Sequence, residues 1–173
     1  EAEILRASLS DRMGVIEDQM QEVFEKIVTE RYSEKTGKRL KDNVQVFNPG
    51  SRKQIADRLQ SLGWTPEKFT EKGQPIVDET TLENSDIPEA QLIAEYLMIQ
   101  KRVGLLTSWL KNADPETNRV HGAIITNGAV TGRMTHHSPN MGQIPSVTKP
   151  YGKECRSLWT VDDGNVLVGT DLS

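Results

Sequence analysis

Asp171 ends the run "NVLVGTD" (165–171), a short, almost continuous apolar segment after the turn "DDGN" that reads as a buried central strand. A carboxylate leaving a rigid, buried element is well placed to hold a catalytic metal ion; a strand-terminating turn is the competing reading. Upstream, "NGAVTGRMTHHSPNMGQIPSV" (127–147) gathers glycine, proline and amide side chains around Arg133, with few residues able to fill a core. Two chemistries are excluded there. A phosphate-cradling loop needs the spacing G-x-x-x-x-G-K, but Gly128 and Gly132 enclose only three residues and Arg133 follows. His136 and His137 are adjacent, so in regular structure they point apart, and no Cys or carboxylate stands at ligand spacing. Cys155 has no dyad partner in the sequence and reads as a buried thiol, and Asp162-Asp163 before Gly164 as a turn.

The elements that must carry these residues follow from periodicity. Leu9, Met13, Ile16, Met20, Val23 and Ile27 step by four and three, one stripe of a helix, with a break or kink expected at Gly14. The same stepping returns at Leu92, Tyr96, Ile99, Val103, Leu106 and Leu110. Two long helices with matching seams predict an antiparallel, coiled-coil-like hairpin. Between them, "RYSEKTGKRLKDN" (31–43) is polar and basic, with Lys35, Lys38, Arg39 and Lys41 around Gly37, and reads as a loop at the hairpin tip. Ser51 with Gln54 forms a capping box and Gly63 a stop, which bounds a short helix. The stretch "TEKGQPIVDETTLEN" reads as a loop plus a turn of helix, and Asp86 or Ile87 caps the second long helix, with Pro88 in its first turn. "RVHGAIIT" (119–126) reads as a strand, and "GKECRSLW" as a short helix.

Length and composition bound the rest. The chain has 173 residues, 35% hydrophobic and 27% charged, with a formal net charge of -4: a polar globular chain, nearer an elongated helical protein than a sphere. That charge neither suggests nor excludes nucleic acid, because binding depends on where basic groups cluster. A single cysteine excludes an internal disulfide and suits a reducing cytosol. No apolar run approaches the roughly 20 residues of a membrane helix. The chain opens on Glu1 and stops just after an apolar run, so it reads as a piece of something longer.

The ordered residues carry a resemblance. Thr131-Gly132-Arg133, then Pro139-Asn140-x-x-Gln143-Ile144-Pro145, then a short helix with Arg156, then a hydrophobic run ending Asp171-x-Ser173, resemble family A DNA polymerases. The wording of "EYLMIQKR" and "NGAVTGR" is similar to replicative polymerases of short-tailed phages. The resemblance spans Ala2 to Ser173 and is strongest from residue 91 onward.

The resemblance implies an α+β fold: a helical thumb over 1–112, then the first antiparallel strands of a palm over 113–173, stopping within motif A. It implies a template-directed DNA polymerase acting on primer-template DNA and dNTPs with two Mg²⁺ ions, Asp171 being one metal ligand and catalytic carboxylate. The fingers and the second catalytic aspartate are expected beyond Ser173, and an exonuclease domain, if any, before Glu1, so the chain alone is expected to be inactive. Arg133, Gln143 and Asn140 become donors to minor-groove acceptors, which every base pair presents, with Thr131 beside them. Lys35, Lys38, Arg39, Lys41, Lys101 and Arg102 become contacts to duplex phosphates. Location in the cytoplasm follows, that of the host if the source is a phage.

Two departures qualify the match. The family often has an arginine soon after Ile-Pro, where this chain has "IPSVTKPYG" with Thr148 and Lys149. Some phage relatives carry a long thumb insertion that captures thioredoxin as a processivity factor; the connection here is short, so that partner is not implied. A single-subunit phage-type RNA polymerase is the competing enzyme and a non-enzymatic helical DNA-binding module the competing class. The sequence past Ser173 would separate the two polymerases.

Overall fold

The computed structural model describes residues 1–169, which form two compact units: Leu9–Lys101, and Glu1–Ser8 with the chain from Arg102 onward. The architecture is mixed, with five helices and two small antiparallel sheets among the described residues. No described helix is long and apolar enough to cross a membrane.

The first unit is built around α1 (Ala2–Val23) and α4 (Pro88–Asn112), which both continue into the second unit. The apolar stripe of α1 buries Leu9, Ile16 and Met20, and the helix runs through Gly14 without a break. After Val23 the chain leaves the helix, so Phe24 becomes the next buried residue and packs on Phe47 at 4.4 Å between ring centroids. Ile27, expected to extend the stripe, begins a strand instead. Along α4, Ile93, Ala94, Tyr96, Leu97, Met98 and Ile99 are all buried. Burial around most of the circumference marks a central helix enclosed by several elements. The ties between α1 and α4 are Arg12 to Glu95 at 2.8 Å and Tyr96, donating to Glu17, at 2.6 Å. They join Arg12 and Glu17 of α1 to two neighbouring residues of α4.

The basic tip is a β-hairpin and not a loop. β1 (Ile27–Tyr32) pairs antiparallel with β2 (Arg39–Gln45), with a register shift between Thr29 and Arg31. The turn closes through Ser33 N–H to the Lys38 carbonyl, with Gly37 at φ 63. Almost every residue of the ribbon is exposed. With both faces in water there is no inside to impose alternation, which is why the sequence pattern does not betray it.

α2 (Arg52–Ser61) starts and stops where its caps lie. The Ser51 hydroxyl accepts from Gln54 N–H, and the amide of Gln54 turns to Asn48 N–H at 2.9 Å instead of closing the box on Ser51. At the other end Gly63, at φ 94, donates to the Gln60 carbonyl and Trp64 N–H to the Leu59 carbonyl, a Schellman closure. α3 (Glu79–Glu83) carries a reciprocal capping box between Asp78 and Thr81.

In the second unit, β3 (Ala123–Ile125) pairs with β4 (Thr135–His137), and α5 (Gly152–Ser157) follows. The strand read over 119–126 is therefore confined to its end, with a single bridge from Val120 to Ala113. The strand read over 165–171 is not formed within 165–169: Val166, Leu167 and Val168 are 80%, 69% and 82% exposed. A strand needs a ladder partner as well as apolar side chains, and no described residue supplies one there. Asp171 lies outside the described residues.

Candidate nucleic-acid interface

Arg133 sits at the foot of the loop that joins β3 to β4. The loop folds back on itself: Ala129 N–H donates to the Arg133 carbonyl and Gly132 N–H to the Ala129 carbonyl. Gly132, at φ 77, takes a conformation that side-chain-bearing residues avoid. The backbone of Gly128 lies so close to the Thr135 side chain that any Cβ there would collide with it. Thr135 thus braces the loop from β4, while Thr131 and Arg133 are exposed.

The second donor loop leaves the same ribbon. Asn140 accepts from Gly142 N–H through Oδ1 at 3.0 Å, a turn that uses the acceptor end of the amide and leaves its NH₂ end out of that bond. A Cβ at Gly142 would stand 3.0 Å from Cδ2 of His136, and one at Gly122 would stand 2.9 Å from Cγ of Met141. These close approaches lock the 139–142 backbone against β4 and against the entry to β3. Gln143 is exposed, and Pro145 behind it is buried. The structure therefore gathers Thr131, Arg133, Asn140 and Gln143 onto loops of one small ribbon.

The basic residues are dispersed. Lys35 and Lys38 lie in the β1–β2 turn and Arg39 and Lys41 on β2, where the Arg39 guanidinium is within 3.3 Å of Glu30 and 3.2 Å of Asp42. Lys101 pairs with Glu79 at 3.1 Å. Arg102, in the other unit, donates to the Pro150 carbonyl at 3.3 Å. Exposed pairs of this kind are weak, about 0–1 kcal/mol each, so displacing them costs a phosphate little per pair and more where one cation holds two.

The roles of three supports went unseen in the sequence: Thr135, His136 and Arg156, whose Nε donates to the Pro145 carbonyl at 2.8 Å. The glycines at 122, 128 and 142 were the available signal, since a glycine often marks a close approach. Arg156 belongs to the resemblance, but nothing in the sequence marked what its side chain does. Burial, the larger influence, pushes the Cys155 thiol up against the opposing pull of Arg102, as suits an unreactive thiol. Among the described residues no three His, Cys, Asp or Glu side chains gather where they could hold a metal ion, and Asp171, the ligand the resemblance implies, lies outside them.

Comparison with known proteins bears on what these loops are for. The family description DNA polymerase family A matches residues 14–173. The DNA-directed DNA polymerase of Enterobacteria phage T3 is 51% identical over 124 residues, covering 66% of this chain and 18% of that protein. That of Escherichia phage T7 is 50% identical over 124 residues, and DNA polymerase I of Caldicellulosiruptor bescii 33% identical over 133 residues, covering 73% of this chain and 15% of that protein. The chain thus spans under a fifth of the length of these relatives. Among solved structures, the POL domain of Pol1 from M. smegmatis, in complex with DNA primer-template and dNTP, superposes with a TM-score of 0.72 over 95% of this chain and 26% of that chain, at 19% identity.

Proposed function

Because this chain belongs to DNA polymerase family A, we propose that it serves template-directed DNA synthesis, gripping primer-template duplex and reading its minor groove with Arg133, Gln143 and Asn140. The carrying observation is the pair of braced loops on the β3–β4 ribbon, which holds Arg133 and Gln143 exposed and Asn140 half-buried on backbone that cannot easily yield. A copying enzyme must accept every base sequence, and the minor groove presents an acceptor at N3 or O2 of each pair. Donors held in fixed positions there test pair shape without preferring a base. Thr131 lines the same loop. In this reading 1–112 is the thumb and 113–173 the start of the palm, and the hairpin basic residues with Lys101 and Arg102 meet phosphates.

Mg²⁺ would supply charge neutralisation and an activated primer hydroxyl in the complete enzyme, with Asp171 as one ligand. That assignment rests on the sequence resemblance. A two-ion site draws carboxylates from more than one element, and the resemblance supplies one in this chain, Asp171, so the 173-residue chain alone is expected not to extend a primer. Incubating it with primed DNA, Mg²⁺ and all dNTPs decides this; any template-dependent extension overturns it. A single-subunit RNA polymerase shares the palm and motif A logic, but the T3 and T7 relatives are DNA polymerases by name. Titrating labelled primer-template against the full-length protein and its Arg133→Ala variant tests the interface. Unchanged affinity together with unchanged extension would remove Arg133 from it.

A further inference from the structure

We propose that Arg156 is a positioning residue for the donor loop: by holding the Pro145 carbonyl it fixes the backbone that presents Gln143. The hydrogen bond from Nε to that carbonyl is 2.8 Å long and partly buried. It is reinforced from the same face of α5. Gly152 and Arg156 are four residues apart, so they lie one above the other on the helix. At Gly152 there is no room for a Cβ, because the Ser146 carbonyl occupies its place. Two consecutive residues, Pro145 and Ser146, are thus gripped by one helical face, and the helix itself is anchored by Cys155, which is 0% exposed.

The upstream end of the loop is fixed independently, by the bond from Gly142 N–H to Asn140 and by the ring of His136 against Gly142. Gln143 therefore sits between two fixed points, Gly142 and Pro145. Releasing either one frees the side chain between them. Arg156 uses Nε for the clamp, and its side chain is otherwise at the surface, so on inspection of the sequence it passes for an ordinary exposed arginine. The clamp is a property of this chain alone; its consequence for DNA synthesis rests on the function proposed above.

Amide hydrogen exchange in the full-length protein tests the clamp. In Arg156→Ala the Lys149 amide, which donates to the carbonyl of the gripped Ser146, is expected to exchange on the order of tenfold faster, as fits loss of a charged hydrogen bond. The Cys155 amide, which donates to Tyr151 within the α5 turn, is expected to keep its rate. Arg156→Lys should restore part of the protection, since an ammonium reaches a carbonyl but lacks the planar fork. Unchanged exchange at Lys149, or equal acceleration at Lys149 and Cys155, overturns the proposal; the latter would mean that Arg156 merely holds the helix together. A double-mutant cycle with Gln143→Ala, read as primer extension from matched and mismatched ends, tests the consequence. Arg156→Ala should add nothing once Gln143 is gone, and full additivity overturns the positioning role. An inert Gln143→Ala alongside accelerated Lys149 exchange keeps the clamp and overturns the DNA reading instead.

Discussion

Arg133 differs from Arg39, Lys101 and Arg102 in what the protein ties down. In those three it is the charged head, paired with a carboxylate or a carbonyl. In Arg133 it is the backbone, through the bond from Ala129, while the side chain stays exposed. A guanidinium on a fixed root is pre-organised for an acceptor of fixed position. Arg133→Ala should therefore cost about 1.5–3 kcal/mol, roughly ten- to a hundredfold in extension by the full-length enzyme. Arg133→Lys should rescue poorly, and full rescue in single-turnover assays would show that charge alone mattered. Tyr96 makes a different point at the same scale. Burial first, and then its hydrogen bond to Glu17, raise its phenol above the ordinary value of 10.0. A group whose folded value is raised contributes stability that is complete below pH 10 and lost as pH climbs through the folded value. Denaturation midpoints should fall above that pH in the wild type and stay flatter in Tyr96→Phe. At neutral pH the variant should lose about 1.5 kcal/mol, the lower end for a bond to a charged acceptor because Glu17 is only partly buried.

Caps decide where the short helices lie, and the box at α3 offers a quantitative test. Asp78 accepts from Thr81 N–H at 2.8 Å while the Thr81 hydroxyl accepts from Asp78 N–H at 3.1 Å. Asp78→Ala should cost about 1 kcal/mol in thermal unfolding. The Thr81 backbone bond holds the Asp78 carboxyl below its ordinary value of 3.8. Its contribution is thus present above that pH and fades as pH falls through the lowered value. The gap between wild type and Asp78→Asn should close in strong acid, and a gap that persists there would assign the effect to packing. Such local devices were legible: Ser51, Gln54 and Gly63 bounded α2 because caps act within a few residues. The α4 helix was legible as a helix but not as a central one, since a stripe shows one buried face and Ile93, Leu97 and Met98 are buried outside it. The β1–β2 ribbon was illegible because its exposed faces carry no alternation. The run 165–169 misled, because apolar composition states a need for a partner without supplying one. Within the candidate interface, Arg133, Gln143 and Asn140 were visible as an ordered motif, whereas Thr135, His136 and Arg156 act through three-dimensional packing and hydrogen bonds that no spacing encodes.

Across the whole chain 25 acidic side chains outnumber 21 basic ones, so any grip on a polyanion depends on local concentration of charge against an adverse net of -4. The β1–β2 hairpin is the place where that concentration is testable. Within it Arg39 is shared between Glu30 and Asp42, so a phosphate must displace two carboxylates to reach it. Lys35, Lys38 and Lys41 are exposed on the same hairpin, and none of them forms an ion pair among the described residues. On the proposed function the energetic difference follows: the lysines would release counterions from the duplex at little internal loss, while Arg39 would exchange one set of partners for another. Binding of primer-template should weaken with salt at a log–log slope of about -0.9 per phosphate neutralised. Replacing Lys35, Lys38 and Lys41 together by alanine should flatten that slope by about 0.9 for each phosphate that is no longer neutralised. Arg39→Ala should change it less, and should loosen the ribbon instead by leaving Glu30 and Asp42 side by side. Fluorescence anisotropy of the full-length protein across a salt series reads both effects. A slope that the triple replacement leaves untouched would make the hairpin a solvated surface, and an Arg39→Ala effect as large as that of the three lysines would show that the carboxylate pairing offers no resistance to phosphate.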